Sequence, residues 1–214
     1  MDNKDNILDG IDIIYWINLD RSADRKERMI KMFKDTSFDN IPIQRFSAID
    51  GKKENIDKMI TVQSKKLTKP EYGCLLSHLE VIREFSKSNY DIALILEDDL
   101  TLDFKKYWRK DLQDVLNKAP KDWEVIMLSY MSNDLPEEEY TYNENKYWST
   151  LAYVINKKGA TRLINDMYYN NKYVIDPNIN NEADQYIFQE IDTYVYRYPY
   201  FISKYGEEST DRKS

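Results

Sequence analysis

Three consecutive acidic side chains, Glu97, Asp98 and Asp99, follow an apolar run in the segment LILEDDLTLD. The apolar run predicts a buried strand, and open α/β sheets bind ligands at the carboxyl ends of their strands. Because side chains alternate along a strand, Glu97 and Asp99 share a face, with Cα atoms about 6 to 7 Å apart, and Asp98 points the other way unless the strand breaks first. Two carboxylates at that spacing suit an oxygen-binding cation such as Mn²⁺ or Mg²⁺, since they would otherwise repel one another. The alternative is a solvated turn at a strand end.

Other well-known catalytic motifs are absent from the sequence. It has five glycines and contains no GxGxxG, GxxxxGK[ST] or GxSxG segment, which excludes a Rossmann fingerprint, a P-loop and a nucleophile elbow. Cys74 is the only cysteine and His78 the only histidine, so an intrachain disulfide and a zinc cluster of several Cys and His are excluded. A bound metal is therefore expected to have oxygen ligands.

Composition indicates one globular domain over residues 1–214, with about 1–10 and 206–214 as flexible tails. The chain is 42% hydrophobic and 32% charged, and it has no linker-like tract. Its net charge of −7 disfavours nucleic acid as a partner. The longest apolar run, Ile92 to Leu96, is too short to cross a membrane, and the N-terminus does not resemble a secretory signal, so a cytoplasmic location is expected. The oligomeric state stays open.

Hydrophobic periodicity predicts strands that alternate with helices. The predicted strands are residues 11–19, 43–49, 92–96, 125–128 and 147–155. The predicted helices are one that follows Ser22 and those at about 70–87, 107–117, 158–168 and 182–190. Such alternation indicates an α/β fold with a mostly parallel central sheet flanked by helices.

Five segments, in this order, resemble the motifs of glycosyltransferase family 25. They are YWINLDRSADRKERM, RFSAIDG, YGCLLSHLEVIREF, ALILEDDL and AYVINKKGATRLI. This family includes bacterial lipooligosaccharide galactosyltransferases and collagen hydroxylysine galactosyltransferases, and the resemblance extends from about residue 13 to 192. It implies a single-domain GT-A-like fold, a UDP-sugar donor, a Mn²⁺-type metal and inversion at the anomeric carbon. The implied acceptor is a hydroxyl of a saccharide or of a protein, as in hydroxylysine.

The acidic triplet stands where the family has its DxD-like motif. The resemblance implies that Asp99 ligates the metal, with Glu97 as a second ligand. It also implies catalytic roles for Glu97 or Asp98, one of which would reach the ribose or a metal-bound water. The metal would bridge the two phosphates and neutralise the charge that develops on the departing UDP.

The resemblance places further residues around the donor nucleotide. They are Asn18, Leu19, Arg21, Arg25, Asp50, Gly51 and His78. Each has a structural alternative. The two arginines can be helix-surface charges, the Asp-Gly pair a simple turn in which glycine permits the backbone conformation, and the histidine a core residue on an apolar helix face. Cys74 on the same helix is expected to be a small core residue.

An inverting transfer needs a base that takes the proton of the acceptor hydroxyl. Asp184, in the segment Glu182-Ala183-Asp184, stands where the family has Pro-Val-Asp, so the resemblance implies that it is this base. Asp176 is a competing candidate, and a structural acid at a helix start is the alternative reading of Asp184. Aromatic faces of Tyr130, Trp148 and Tyr153 can contact an acceptor, or they can belong to the core.

Two other functions compete with transfer. The segment EDDLT approximates the DxDxT motif of haloacid-dehalogenase-type phosphatases, but a glutamate occupies the position of the nucleophilic aspartate. The second alternative is a non-catalytic relative that binds a nucleotide sugar. Metal-dependent release of UDP would distinguish a transferase from a binder, and hydrolysis of a phosphomonoester would identify a phosphatase.

Overall fold

The computed structural model of the chain describes residues 7–61, 67–175 and 183–204. The strands are β1 (Ile13–Asn18), β2 (Ile43–Ser47), β3 (Ile92–Glu97), β4 (Leu100–Thr101), β5 (Val125–Met127), β6 (Tyr140–Tyr142), β7 (Ala152–Asn156), β8 (Tyr168–Tyr169), β9 (Lys172–Tyr173), β10 (Thr193–Tyr196) and β11 (Ile202–Ser203). The α-helices are α1 (Ala23–Met32), α2 (Lys69–Lys87), α3 (Leu112–Lys118), α4 (Lys157–Met167) and α5 (Ala183–Glu190).

A seven-stranded sheet in the order β2-β1-β3-β7-β5-β10-β6 forms the centre of the molecule. Strands β1, β2 and β3 are parallel to one another, as are β5 and β10. Strand β7 runs antiparallel between β3 and β5, and β6 runs antiparallel at the edge. The predicted α/β fold with a mostly parallel sheet is confirmed, although β7 interrupts the parallel order near its middle.

Helices bury both faces of this sheet. Helices α2, α4 and α5 pack on the face to which Tyr15 and Ile95 point, whereas α1 and α3 pack on the face of Trp16 and Leu96. Side chains on opposite faces are thus both buried, which explains why β1 and β3 are apolar along their length instead of alternating. The predicted central strands were recognisable from sequence for this reason.

Strands β1 and β2 are shorter than predicted by one or two residues at an end, and two other predicted elements begin much later than expected. Helix α3 begins at Leu112 rather than at about 107, because the carboxylate of Asp111 caps it by accepting a hydrogen bond of 2.7 Å from the amide of Asp114. Strand β7 begins at Ala152 rather than at 147, because Ser149 has a φ of 120° that extended backbone does not allow. The Tyr-rich segment near the C-terminus forms β10, which is an internal strand of the sheet.

Helix α2 begins in a full capping box, in which Thr68 and Glu71 bond to each other's backbone amides, with Pro70 in the first turn. Its N-terminal half therefore has a well-defined position beside the ends of β1, β2 and β3. Of the expected flexible N-terminal tail, residues 7–10 are described and Leu8 is fully buried. Across the described ranges, no helix is both long enough and apolar enough to cross a membrane.

Candidate active site

The carboxyl ends of β1, β2 and β3 meet at one edge of the sheet, where an open cavity has an empty volume of about 610 Å³. Its lining includes residues that were predicted from the sequence: Asn18, Leu19, Arg21, Arg25, Asp50, Gly51, His78, Glu97, Asp98 and Asp99. Helix α2 adds Cys74 and Ser77. The residues predicted to bind the donor and the metal therefore lie around one cavity.

Two groups lie against Glu97 on the α2 side of the sheet. The hydroxyl of Thr150 donates to Glu97 Oε1 at 2.5 Å, and His78 Nε2 lies 3.3 Å from the same oxygen. Burial opposes the charge of Glu97, but the His78 imidazole and the Thr150 hydroxyl outweigh it and hold the pKa of this carboxyl below its usual range. Glu97 is therefore ionised, and its Oε1 has a defined position.

The Asp99 carboxylate can still accept a hydrogen bond or bind a cation. Its Oδ1 is buried without a hydrogen-bond partner among the described residues, and Arg25 Nη1 is 4.0 Å from its Oδ2. Burial first, and the charge of Glu97 second, raise the pKa of Asp99 from its ordinary value of 3.8 to about 7. A cation between the two carboxylates would relieve both effects, so these residues fit a divalent metal that prefers oxygen ligands.

The strand breaks after Glu97, so Asp98 lies in the turn that follows β3, where contacts with β1 and α1 rather than strand alternation set its direction. Its Oδ2 accepts a hydrogen bond of 2.6 Å from Asn18 Nδ2, and its Oδ1 accepts one of 2.8 Å from Arg25 Nη1. Arg28 Nη2 donates to the Asp98 carbonyl at 2.8 Å. Because protein donors already engage both carboxylate oxygens, the contacts favour an anchoring role for Asp98, and its catalytic role stays a prediction.

Arg45 does not line the cavity but positions Asn18, which does, and this role was not predicted from the sequence. Its Nε and Nη2 donate to Asn18 Oδ1 at 3.0 and 2.8 Å, and Nη2 also donates to the Asn18 carbonyl at 3.0 Å. Asn18, which is 1% exposed, is thereby fixed between Arg45 and Asp98. The signal for Arg45 was its place at the start of the RFSAIDG motif.

Arg21 and Asp50 form an ion pair across the mouth of the cavity. Burial would raise the pKa of Asp50, but the hydrogen bond from Arg21 lowers it, and the net result is a lowered value. The Arg21 side chain is 35% exposed, whereas that of Arg25 is 14% exposed and is paired with Asp98. Contacts of either arginine with phosphate stay predictions.

Gly51 is required by close packing rather than by backbone freedom. A Cβ atom at this position would lie 1.8 Å from the carbonyl oxygen of Lys69, in the first turn of α2, and 2.5 Å from its carbonyl carbon. Of the described glycines, Gly10 has a positive φ and Gly51 does not. The turn therefore needs glycine because β2 and α2 approach each other so closely.

We expect Gly51→Ala to destabilise the fold by about 1 to 3 kcal/mol or more, the usual cost of forcing an extra methyl group into a packed region. Urea denaturation measures this loss. Lys53→Ala is the matched control on the same turn, because the Lys53 side chain is 71% exposed and its removal is expected to change stability by less than about 0.5 kcal/mol. An unaltered midpoint in Gly51→Ala would contradict the close approach.

His78 is 1% exposed, so the structural reading of a buried histidine holds, yet the residue also lines the cavity. Its Nδ1 lies 3.0 Å from the hydroxyl of Tyr153. Cys74 lies one turn earlier on α2. The potential metal-ligand atoms of Cys74, His78 and Glu97 all lie within 4.8 Å of one another. The expectation that only oxygen atoms are available to a metal was therefore too narrow.

Asp184 lies in the first turn of α5 and is 7% exposed, but it does not line the cavity. Its Oδ2 accepts a hydrogen bond of 2.8 Å from the amide of Ser149, and its Oδ1 accepts one of 2.7 Å from the amide of Gln185. Ser149 precedes Thr150, which binds Glu97, so Asp184 is connected to the acidic cluster through one turn. Asp176, the competing candidate, lies outside the described residues.

The three aromatic residues that were candidates for contact with an acceptor differ in their exposure. Tyr153 is fully buried, so of the two alternatives the core one holds for it. Its large ring packs between α2 and α5, where it contacts His78 and Phe188. Tyr130 and Trp148 are partly exposed, and Trp148 forms a backbone bridge with Met131.

Comparison with known proteins gives one family and several relatives. The model of Glycosyltransferase family 25 (LPS biosynthesis protein) matches residues 11–179. Human procollagen galactosyltransferase 2 is 31% identical over 177 residues, which cover 72% of this chain and 28% of that protein. Procollagen galactosyltransferase 1-B of Xenopus laevis is 30% identical, with coverage of 73% and 28%. A glycosyltransferase 25 family member of Drosophila melanogaster is 29% identical, with coverage of 72% and 28%.

The chain thus spans about 28% of the length of these curated relatives. Among solved structures, a glycosyltransferase involved in the glycosylation of the major capsid of PBCV-1 aligns with a TM-score of 0.40 and 8% identity. That alignment covers 86% of this chain and 94% of the other.

Proposed function

Because this chain belongs to glycosyltransferase family 25, we propose that it transfers a hexose from a UDP-sugar to a hydroxyl group, with a divalent cation and with inversion. The observation that carries the proposal is the pair Glu97 and Asp99 at the cavity, with Asp99 Oδ1 buried and without a described partner. Relatives named procollagen galactosyltransferase favour galactose over glucose or N-acetylglucosamine as the sugar. The acceptor is a glycan or a hydroxylysine-type protein hydroxyl.

Asp99 and Glu97 are the residues that would hold Mn²⁺ or Mg²⁺. A cation bound there supplies positive charge to the diphosphate of the donor as UDP departs. The Thr150 hydroxyl donates to Glu97 Oε1 and His78 Nε2 lies beside the same oxygen, so the position of this carboxylate at the cavity is defined. Asn18, Arg25 and Arg28 hold Asp98 and so orient the backbone from which Asp99 extends.

Arg21 is the cationic side chain at the cavity mouth that can approach a phosphate, because it is partly exposed while paired with Asp50. An incoming phosphate would compete with the Asp50 carboxylate for this guanidinium, which can bind either in a bidentate manner. The Asp50-Gly51 turn and the N-terminal half of α2 line the same cavity, and α2 also places His78 beside Glu97. This arrangement is consistent with a nucleotide that binds between Arg21 and the cation.

A thermal-shift series tests the donor site. We expect UDP-galactose with Mn²⁺ to raise the melting temperature, since a ligand present at 100 times its Kd stabilises the native state by about 2.7 kcal/mol. The same ligand with EDTA should lose most of the shift. UDP-glucose and UDP-N-acetylglucosamine, tested in parallel, identify the preferred sugar. Absence of any shift with uridine nucleotides and Mn²⁺ would contradict the proposed donor.

Asp184 is the proposed base, and Asp184→Asn is expected to lower transfer by about 10²- to 10⁴-fold, the usual contribution of a positioned base. The affinity for UDP-sugar should change little. Glu190→Gln, on the exposed end of the same helix, is the matched control for loss of one carboxylate. Normal transfer by a folded Asp184→Asn protein would place the base elsewhere.

A family member that binds a nucleotide sugar without transferring it is the second candidate. The observation in its favour is that backbone amides of Ser149 and Gln185 engage both oxygens of Asp184, which does not line the cavity. Release of UDP from bound UDP-sugar, with water as acceptor, separates the candidates. A binder would show the thermal shift without measurable UDP release.

A further inference from the structure

Three side chains with potential metal-ligand atoms converge on the α2 side of the cavity, next to the acidic pair. Cys74 and His78 are one helical turn apart on α2, so they project from the same face of the helix. Glu97 reaches them from the end of β3, and the three ligand atoms all lie within 4.8 Å of one another. A thiol, an imidazole and a carboxylate in such proximity match the ligand types of zinc sites.

His78 provides an independent observation that points to a ligand. Its side chain is 1% exposed, and its Nε2 has no hydrogen-bond partner among the described residues, although Glu97 Oε1 is 3.3 Å away. Nδ1 lies 3.0 Å from the Tyr153 hydroxyl, an outer contact of the kind that orients metal-bound histidines. The buried imidazole is therefore fixed in place with its second nitrogen directed at the cluster.

From this geometry we propose that Cys74, His78 and Glu97 form a binding site for a thiophilic divalent cation, with Zn²⁺ as the best match. Zinc bonds of about 2.0 to 2.3 Å require ligand atoms roughly 3.3 to 3.8 Å apart. His78 Nε2 and Glu97 Oε1 are 3.3 Å apart and already meet this requirement. The other pairs of ligand atoms, which are within 4.8 Å, need to approach by at most about 1 Å. Because all three residues line the cavity, the fourth position is open to water or to a ligand.

The proposed zinc site shares Glu97 with the proposed Mn²⁺ or Mg²⁺ site, but it does not include Asp99. Zn²⁺ bound to Glu97 would therefore compete with the oxygen-bound cation, and we expect it to inhibit transfer instead of supporting it. This inhibition rests on the proposed function, whereas the binding itself does not. Zinc levels would then regulate the enzyme through the same carboxylate that it needs for turnover.

Cobalt spectroscopy tests the site without any measurement of activity. Co²⁺ added to the metal-free chain should produce a thiolate-to-cobalt charge-transfer band in the near ultraviolet, and one equivalent of Zn²⁺ should remove it. Cys74→Ser should lose the band. Asp99→Asn is the matched control, because it alters the neighbouring acidic pair but leaves the three proposed ligands, and it should retain the band. Absence of the band, or its persistence in Cys74→Ser, would overturn the proposal.

Alkylation of the wild-type protein gives a second test that needs no variant. Cys74 is the only cysteine of the chain, so the rate of thiol modification reports on this residue alone. One equivalent of Zn²⁺ should slow the modification at least about tenfold, while Mn²⁺ should have little effect, since thiolates prefer softer metals. Equal rates with and without Zn²⁺ would refute the site even if Cys74→Ser fails to fold.

The outcomes for zinc and for the proposed function are separable. Zinc binding through Cys74 in a chain that shows no UDP release would keep this inference and refute transfer. If transfer is observed, the half-inhibitory Zn²⁺ concentration should rise at least about tenfold in Cys74→Ser, the range known for weakened metal sites, with each rate normalised to its own zinc-free value. Equal sensitivity of wild type and variant would show that inhibition does not pass through Cys74.

Discussion

Asp99→Asn is expected to lower metal-dependent UDP release at least about 100-fold, the loss that follows removal of a single group that stabilises developing charge. Within the described part of the chain, one buried oxygen of Asp99 has no hydrogen-bond partner, so Asp99 is the member of the acidic cluster with most to gain from a cation. Asparagine preserves the shape of the side chain but removes its charge. Saturating UDP-galactose and a titration of Mn²⁺ separate a weaker cation affinity from a slower reaction.

The same substitution should stabilise the metal-free protein at neutral and higher pH. Folding raises the pKa of Asp99 from 3.8 to about 7, so the native state binds more protons than the unfolded state between these values. The stability conferred by protonated Asp99 is fully present below about pH 4 and is lost as the pH rises through about 7. Asparagine removes this dependence, and it should also remove the stabilisation by Mn²⁺.

Asp103→Asn is the matched control for this experiment, because Asp103 is an exposed acid four residues further along the chain. It should retain both turnover and the Mn²⁺-dependent increase in melting temperature. Wild-type turnover by Asp99→Asn, or an unchanged response of its melting temperature to Mn²⁺, would show that Asp99 does not hold the cation.

Asp98→Asn is expected to cost about 3 kcal/mol of folding free energy, since loss of one partner of a buried ion pair leaves the other charge uncompensated. The side chains of Arg25 and Asp98 are only 14% and 11% exposed. Either orientation of the new amide would direct its NH₂ group at a donor, because Asn18 and Arg25 both donate to Asp98. Urea denaturation at pH 7 measures the loss.

Glu144→Gln is the control for Asp98→Asn, because Glu144 pairs with Lys146 on the surface, where both side chains are about two thirds exposed. An exposed pair contributes at most about 1 kcal/mol. A folded Asp98→Asn protein with unchanged stability but greatly reduced turnover would contradict the anchoring role and restore the catalytic one. Loss of stability with retained turnover per folded molecule would support the anchor.

Periodicity and local motifs were sufficient to predict most of the architecture. The apolar segments at 11–19 and 92–96 predicted central strands because both faces of β1 and β3 are covered by helices. They did not predict that β7 runs antiparallel beside β3, since the direction of a strand depends on where its neighbours lie and not on its own side chains. The late start of β7 at Ala152 likewise depends on a turn at Ser149 that Asp184 stabilises from α5.

For the candidate site, strand-end position predicted the acidic cluster, because parallel strands end at one edge of a sheet. The resemblance to the family motifs predicted most of the other side chains of the cavity, but Cys74 was not among them and Asp184 does not line it. Only the tertiary structure decided what each side chain does there. Asp98 is engaged by Asn18 and Arg25, one oxygen of Asp99 has no partner among the residues that the structure describes, and Cys74 joins His78 and Glu97. These differences arise from burial and from contacts between residues far apart in sequence, which change the pKa and hydrogen bonding of chemically identical groups.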